Sequence, residues 1–131
     1  MYTVELRFSG SGLVCDEISA RLGLSPAITW VGPAASAPGG RGKPIWAYNG
    51  QGEPGFQSEW KSLDDGLTFL VGRLLPLRMT VFDIARVHSG VWWCGHFQSA
   101  FDGGPMLSAQ TLDQVASFGL PLFIDNYYSN S

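Results

Sequence analysis

The sequence predicts a single α+β domain spanning residues 1–131, built as a two-layer sandwich. An antiparallel or mixed sheet is expected to carry about three helices packed on one face. Segments that alternate apolar and polar residues, as half-buried strands do, are interleaved with short segments whose apolar residues recur at helical spacing. With 131 residues, of which 45% are hydrophobic, the chain is also long and apolar enough to enclose one core.

The strands are predicted from residue alternation. In the segment from Tyr2 to Ser9 every second residue is apolar and the residues between are polar, as in a strand with one buried face. The Ser9–Gly12 run then has the composition of a turn. Further strands are predicted at Ile28–Val31, Ile45–Asn49, Thr80–His88, Val91–Ser99 and Leu122–Tyr127. Ser89–Gly90 is predicted to form a hairpin turn between the strands Thr80–His88 and Val91–Ser99.

The first helix is predicted from Asp16 to Leu22 by the way the segment ends. Gly23 occupies the position where a helix needs a left-handed residue, Leu24 can pack back onto the last turn, and a proline two residues later prevents continuation. The order helix, Gly, Leu, Pro, strand recurs at Phe118–Pro121. Either shared capping physics or an internal duplication would explain this recurrence.

The longest helix is predicted to begin at Ser62, which with Asp65 three residues later forms a capping-box-like start. Pro76 marks its expected end. Its apolar residues recur at helical spacing and predict one buried stripe, made of Leu63, Leu67, Leu70, Val71 and Leu74.

The last helix is predicted to be capped by Ser108, with Leu107 and Leu112 forming a hydrophobic staple across the cap. Its inner stripe is expected to consist of Leu112, Val115 and Ala116. Two Gly-rich segments, Gly32–Pro44 and Asn49–Ser58, read as loops, and the length of the first suits a partner-binding or mobile loop.

Charge and composition exclude several classes of function. Eight Lys and Arg residues against eleven Asp and Glu give a net charge of −3, and the basic residues are scattered singly, so no nucleic-acid-binding stripe is present. No apolar stretch reaches the roughly 20 residues of a membrane span, and the first residues lack the apolar region of a signal peptide. Two cysteines are too few for a disulfide framework. We therefore expect a soluble, cytoplasmic protein with reduced thiols.

Catalytic and metal chemistry find little support in the residue pattern. Alternation places Trp92, Cys94 and His96 on one strand face, but a zinc site needs one or two more ligands, and no spacing motif supplies them. As a nucleophile, Cys94 lacks an orienting partner, and burial in an aromatic strand would raise the pKa of its thiol. We predict no catalytic residues, no metal and no cofactor. A small-molecule or metal pocket near these three residues is the alternative.

Aromatic residues are numerous, at 13% of the chain, and two regions hold most of the tryptophans. The strand containing Trp92 and Trp93 is assigned to the core. The second region flanks the Gly-rich loops and is the predicted partner-binding patch, since exposed Trp and Tyr are typical of binding hot spots. Its members are Trp46, Tyr48, Phe56 and Trp60. Asp83 and Asp125 lie inside otherwise apolar strands and are expected to face water.

Several of these pieces occur in an order that is similar to a known family. They are Phe8-Ser9-Gly10 at the end of the first strand, Asp16-Glu17-Ile18, Leu22-Gly23-Leu24-Ser25-Pro26, Trp30, Trp60, the Leu67–Leu70 helix with Pro76, and Phe118-Gly119-Leu120 leading to Ile124-Asp125. In this order they resemble the uncharacterised bacterial domain-of-unknown-function family 4279. The resemblance implies no reaction and no catalytic residues.

By analogy, small acidic cytoplasmic bacterial proteins of this kind are often immunity proteins. The predicted function is therefore a non-catalytic protein-binding module, most specifically an immunity protein that binds and blocks a cognate bacterial toxin. Two further hypotheses stay open. One is the small-molecule or metal-binding domain, and the other is a homo-oligomer whose aromatic residues are buried between subunits.

Overall fold

A computed structural model describes residues 1–31 and 43–129, and within these ranges it shows a five-stranded sheet with four α-helices. The strands are β1 (Tyr2–Ser9), β2 (Ile28–Trp30), β3 (Ile45–Tyr48), β4 (Ser89–Gln98) and β5 (Leu122–Tyr128). The helices are α1 (Cys15–Leu22), α2 (Leu63–Leu74), α3 (Arg78–Ala85) and α4 (Ala109–Ala116), with a 3₁₀ turn at Leu75–Leu77 between α2 and α3. Most of the predicted Gly32–Pro44 loop, residues 32–42, lies outside the described residues.

The strands are ordered β2-β3-β1-β4-β5, so the first strand of the chain is the central one. Neighbouring strands are antiparallel except for β4 and β5, which are parallel and are connected through α4. The predicted α+β class with a mixed sheet is therefore confirmed. None of the helices within the described ranges is long and apolar enough to cross a membrane.

The core lies between the helices and one face of the sheet. Strand alternation sends the apolar residues of β1 to that face, where Leu6 and Phe8 are fully buried. The predicted stripe of α2 packs on β1 and is buried along its whole length, at Leu63, Leu67, Leu70, Val71 and Leu74. No described helix packs on the opposite face of the sheet, which remains open.

The predicted helix ends are formed by local hydrogen bonds. Ser62 Oγ accepts the backbone N–H of Asp65 at 3.2 Å, and Ser108 Oγ accepts that of Thr111 at 3.1 Å. Gly23 adopts a left-handed φ of 67°, and its N–H donates to Ser19 O at 2.8 Å. These caps satisfy backbone groups that the helices cannot pair internally.

The prediction of a strand at Thr80–His88 is wrong, because most of this segment belongs to α3. The sequence predicts a strand here because Phe82 and Ile84 alternate with the residues between them. Val81 and Ile84, however, are also spaced as neighbours on one helix face, and both are fully buried. α2 ends at Leu74, just before Pro76 as predicted, but the chain stays helical through α3, because Pro76 lies in the first turn of the 3₁₀ segment, where no N–H donor is needed. Ser89 and Gly90 consequently begin β4 and do not form a hairpin turn.

The inner stripe predicted for α4 is also partly wrong. Leu112 is 48% exposed and Ala116 is exposed, whereas Val115 is buried as predicted. Thr111 and Phe118 complete the buried stripe at positions four before and three after Val115. The cap at Ser108 explains the rotation, because the Thr111 hydroxyl is drawn inward by hydrogen bonds to Ser108 Oγ at 3.0 Å and Thr68 Oγ1 at 3.3 Å.

Candidate functional site

The patch predicted from Trp46, Tyr48, Phe56 and Trp60 is not an exposed surface. Trp46 and Tyr48 lie on the helix-covered face of β3, an internal strand, and both are buried. Trp46 stacks on Tyr48 at 6.3 Å between ring centroids, and its indole N–H donates to Ser19 Oγ at 2.9 Å. Proximity to a loop in sequence therefore did not indicate exposure, because the pairing of β3 between β2 and β1 decides which residues the helices cover.

The other two predicted residues pack around Phe69 of α2. Trp60 is buried, with its ring centroid 5.3 Å from that of Phe69, and Phe56 is half-buried at 6.4 Å from the same ring. The backbone of Trp60 exchanges two hydrogen bonds of 2.7 Å with Tyr2. This isolated bridge pairs Trp60 with the start of the central strand β1 and holds the segment before α2 in place.

The pocket predicted near Trp92, Cys94 and His96 is not formed by these three side chains together. Trp92 is fully buried, with its indole N–H donating to Val115 O at 3.2 Å. Cys94 is also fully buried, and burial raises the pKa of its thiol to about 12. Only His96 reaches a cavity. Within residues 1–31 and 43–129, no group of three or more His, Cys, Asp or Glu residues is arranged to hold a metal ion.

His96 is 2% exposed and has both ring nitrogens engaged. Its Nε2 donates to Asp102 Oδ2 at 2.7 Å, its Nδ1 lies in hydrogen-bonding contact with Asn126 Oδ1 at 2.9 Å, and the Tyr2 ring stacks on it at 4.5 Å. The hydrogen bond from His96, followed by one from the Gly104 N–H, lowers the pKa of Asp102. Through its bond to Asp102, His96 anchors the loop that follows β4.

The cavity beside His96 has a volume of about 420 Å³ and lies between this loop and β5. Phe101, Pro105 and Ile124 supply apolar walls, and Asn126 supplies a polar one together with His96. The polar side-chain atoms of His96 and the acceptor oxygen of Asn126 are already paired with each other or with Asp102. Gln98, Gly103 and Gly104 complete the lining of the cavity.

The open face of the sheet carries an aromatic surface that the sequence analysis missed. It consists of Trp93, Phe97, Phe123 and Tyr127, which we call the aromatic face. Trp93 and Phe123 are neighbours across β4 and β5, with ring centroids 4.7 Å apart, and Phe97 stacks on Tyr127 at the same distance with an interplanar angle of 7°. Phe97, Phe123 and Tyr127 are 41%, 46% and 44% exposed. Trp93, assigned to the core from sequence, is only half-buried.

Charged groups border the aromatic face in pairs. The Arg7 guanidinium carbon lies 3.9 Å from the centroid of the Trp93 ring, and Arg7 Nε is 3.0 Å from Glu5 Oε2. The Tyr127 hydroxyl donates to Asp125 Oδ2, and this bond raises the pKa of Tyr127. The expectation that Asp125 faces water agrees with its place on this open face, where it is half-buried.

Gly95 separates the two aromatic pairs and is required by close packing. It lies opposite Asp125 in the β4–β5 register. A Cβ added at this position would come within 2.6 Å of Thr3 Oγ1 and 2.8 Å of Phe97 Cε2, so the Phe97 ring occupies the space above the glycine. A glycine covered by an aromatic side chain is a device that fixes register in sheets. It holds Phe97 flat beside Tyr127.

The signal for the aromatic face is present in the sequence but is ambiguous there. In β4 aromatic residues occur on both faces, so alternation does not show which face the helices cover. In β5 the polar Asp125 between Phe123 and Tyr127 marks the solvent side. That assignment transfers to Trp93 and Phe97 only once β5 is known to pair in parallel with β4.

Comparison with known proteins gives one match. No curated protein and no solved structure matches the chain. The model of a family described as a domain of unknown function, DUF4279, matches residues 1–129 of the 131. The resemblance drawn from the turn, cap and core residues is thereby confirmed. The chain belongs to the DUF4279 family.

Proposed function

We propose that this protein is a non-catalytic protein-binding module whose partner docks on the aromatic face. The observation that carries the proposal is the pair of ring contacts on a rigid sheet, with Phe97, Phe123 and Tyr127 each more than two-fifths exposed. Aromatic side chains held by strands lose little conformational entropy when they are buried against a partner, and they are typical anchors of interfaces.

The shape and the charges of this surface favour a protein partner. Small-molecule sites are concave and enclose most of the ligand, whereas a sheet face is broad and open. The charged neighbours are already paired, Arg7 with Glu5 and Asp125 with the Tyr127 hydroxyl. When a partner covers the face, these charged groups lose contact with water but keep their hydrogen-bonding partners, which reduces the cost of desolvation.

In its most specific form, the proposal is that the protein is an immunity protein that acts in the bacterial cytoplasm by binding and blocking a cognate toxin. Three features support this form: the aromatic face, the net charge of −3, and the free thiols of Cys15 and Cys94, which suit a reducing compartment. His96, with both nitrogens engaged, anchors a loop and is assigned no proton-transfer role.

The experiment is co-expression with the product of the neighbouring gene, followed by affinity purification and light scattering. We expect a stable complex that protects cells from the toxic effect of the partner. The double variant Phe123→Ala/Tyr127→Ala should weaken binding by about 100-fold or more, since two anchors contribute at least about 1.4 kcal/mol each.

The matched control is Met79→Ala/Val87→Ala, which removes two exposed apolar side chains from elsewhere on the surface. It should change the Kd by no more than about twofold. Both double variants should unfold cooperatively in urea, which separates lost binding from lost folding. If no complex forms, or if the Phe123 and Tyr127 variant binds as tightly as the unmodified protein, the proposal is wrong.

A further inference from the structure

The pocket that continues the aromatic face at its Phe97–Tyr127 end has a volume of about 290 Å³. The residues that line it include Phe97, Tyr127, Tyr128, Glu59 and Met1. We propose that this pocket receives a cationic side chain, Arg or Lys, from the protein partner. The inference rests on the proposed function and adds the chemistry by which the partner is recognised.

The other end of the aromatic face already holds a cation in this manner. The guanidinium of Arg7 lies over the Trp93 ring at 3.9 Å and beside the Glu5 carboxylate at 3.0 Å. A ring face attracts the cation through its quadrupole, and the carboxylate adds a charge-assisted hydrogen bond. At the Trp93 end, the chain thus satisfies the requirements of a cation site with its own arginine.

The Phe97–Tyr127 end presents the same two ingredients. Its rings are stacked at 4.7 Å, and the Glu59 carboxylate stands on the rim of the pocket. Glu59 forms no ion pair with any residue that the structure describes. A cation entering here would therefore meet aromatic side chains and a carboxylate that has no described ion-pair partner.

The backbone beside Glu59 and the strand that carries Phe97 are both held by pairing with the first residues of the chain. Trp60, the next residue, exchanges two backbone hydrogen bonds of 2.7 Å with Tyr2, and the Phe97 N–H donates to Met1 O at 2.8 Å. The carboxylate and the rings are thus carried by segments that are tied to each other. This arrangement favours a preformed site, which costs less ordering on binding than a flexible one.

The ammonium group of Met1 is a positive charge that would repel the incoming cation. It donates to Phe97 O at 2.9 Å, so it is held against the backbone at the edge of the pocket. Its field also contributes to lowering the pKa of Asp102, which shows that a second carboxylate partly balances it.

The test uses two capped amino acids as probes, acetyl-arginine-amide and its uncharged isostere acetyl-citrulline-amide. Binding is followed by the NMR signals of the aromatic rings, assigned to Phe97, Tyr127 and Tyr128. We expect the arginine probe to shift these signals with an affinity at least about fivefold tighter than that of the citrulline probe, and added salt to weaken it. Glu59→Gln should reduce arginine binding by about fivefold.

The matched control is Glu17→Gln, which removes one exposed carboxylate from α1 and should leave arginine binding unchanged. Equal binding of the two probes, or full arginine binding to Glu59→Gln, would overturn the inference. With the purified partner, a Kd insensitive to Glu59→Gln but weakened by Phe123→Ala/Tyr127→Ala would defeat this inference and leave the proposed function standing. A dimer that buries the aromatic face against a second copy would overturn both.

Discussion

At the residue scale, His96 shows how a polar side chain fits inside an apolar layer. It shares the helix-covered face of β4 with Trp92 and Cys94, both fully buried. Its two nitrogens reach outward to Asp102 and Asn126, so its polar atoms are satisfied while its ring stacks on Tyr2. An imidazole in this position links the core to the loop between β4 and α4.

The Asp102 carboxyl should make the stability of the protein depend on pH. The hydrogen bonds from His96 and the Gly104 N–H hold its pKa below the ordinary value of 3.8. A carboxyl whose pKa is lower in the folded state contributes stability above its unfolded pKa, and this contribution is lost as pH falls through the folded pKa. Asp102→Asn should therefore lose less stability than the unmodified protein when pH is lowered into this acidic range.

The measurement is urea unfolding at about pH 7 and at about pH 3, below the unfolded pKa. Asp113→Asn on α4 is the control, because no described group hydrogen-bonds to its side chain. The control should keep the pH dependence of the unmodified protein. An Asp102→Asn variant that loses as much stability between the two pH values as the unmodified protein does would show that the His96–Asp102 bond makes no pH-dependent contribution.

At the element scale, the starts of α2 and α4 are joined by one side chain. Asp64 Oδ1, in the first turn of α2, accepts the backbone N–H of Ser108, the residue that caps α4, at 2.8 Å. This hydrogen bond lowers the pKa of Asp64. The carboxylate also interacts favourably with the positive ends of the helix dipoles.

Removing the Asp64 carboxylate should destabilise the fold more than removing the neighbouring carboxylate of Asp65. We expect Asp64→Ala to lower the free energy of unfolding by about 1 kcal/mol more than Asp65→Ala. This is less than is typical of a hydrogen bond to a charged group, since the site is exposed. Both residues lie in the first turn of α2, so the loss of the dipole interaction is matched. Equal losses in urea unfolding would mean that the Ser108 bond contributes nothing measurable.

The elements that could be predicted from sequence are those set by local physics. The caps at Ser62 and Ser108 and the left-handed Gly23 depend on residues within one helix turn, and the structure forms all three. The prediction of a strand at Thr80–His88 failed because its apolar residues fit both the strand period and the helix period. The packing of Val81 and Ile84 decided between the two. The aromatic face could not be predicted, since it depends on which face of the sheet the helices cover.

At the scale of the whole molecule, the sheet order makes the central strand harder to open than the edge strand β2. β1 is paired on both sides, with β3 and β4, and its inward side chains belong to the core. β2 is a three-residue edge strand in which every residue is exposed. Opening β2 therefore breaks few contacts, whereas opening β1 requires loss of the core.

Native-state hydrogen exchange should reveal this difference in opening between β1 and β2. The hydrogen-bonded amides of β1 should exchange only through global unfolding, and those of β2 should exchange through local opening with a much smaller free energy. The denaturant dependence of exchange distinguishes the two, because global opening exposes more surface. If β2 amides were as well protected as those of β1, the edge of the sheet would be stabilised by contacts beyond those of β3.

The parallel pairing of β5 with β4 sets the moment at which the aromatic face of a newly made chain is completed. Trp93 is synthesised thirty residues before Phe123, the ring it faces, and α4 lies between them. While residues 122–128 are still inside the ribosome, Trp93 and Phe97 lack the β5 rings that they face. Under the proposed function, a partner would therefore be captured only after β5 has emerged, and inhibition of a toxin made at the same time would lag behind its synthesis.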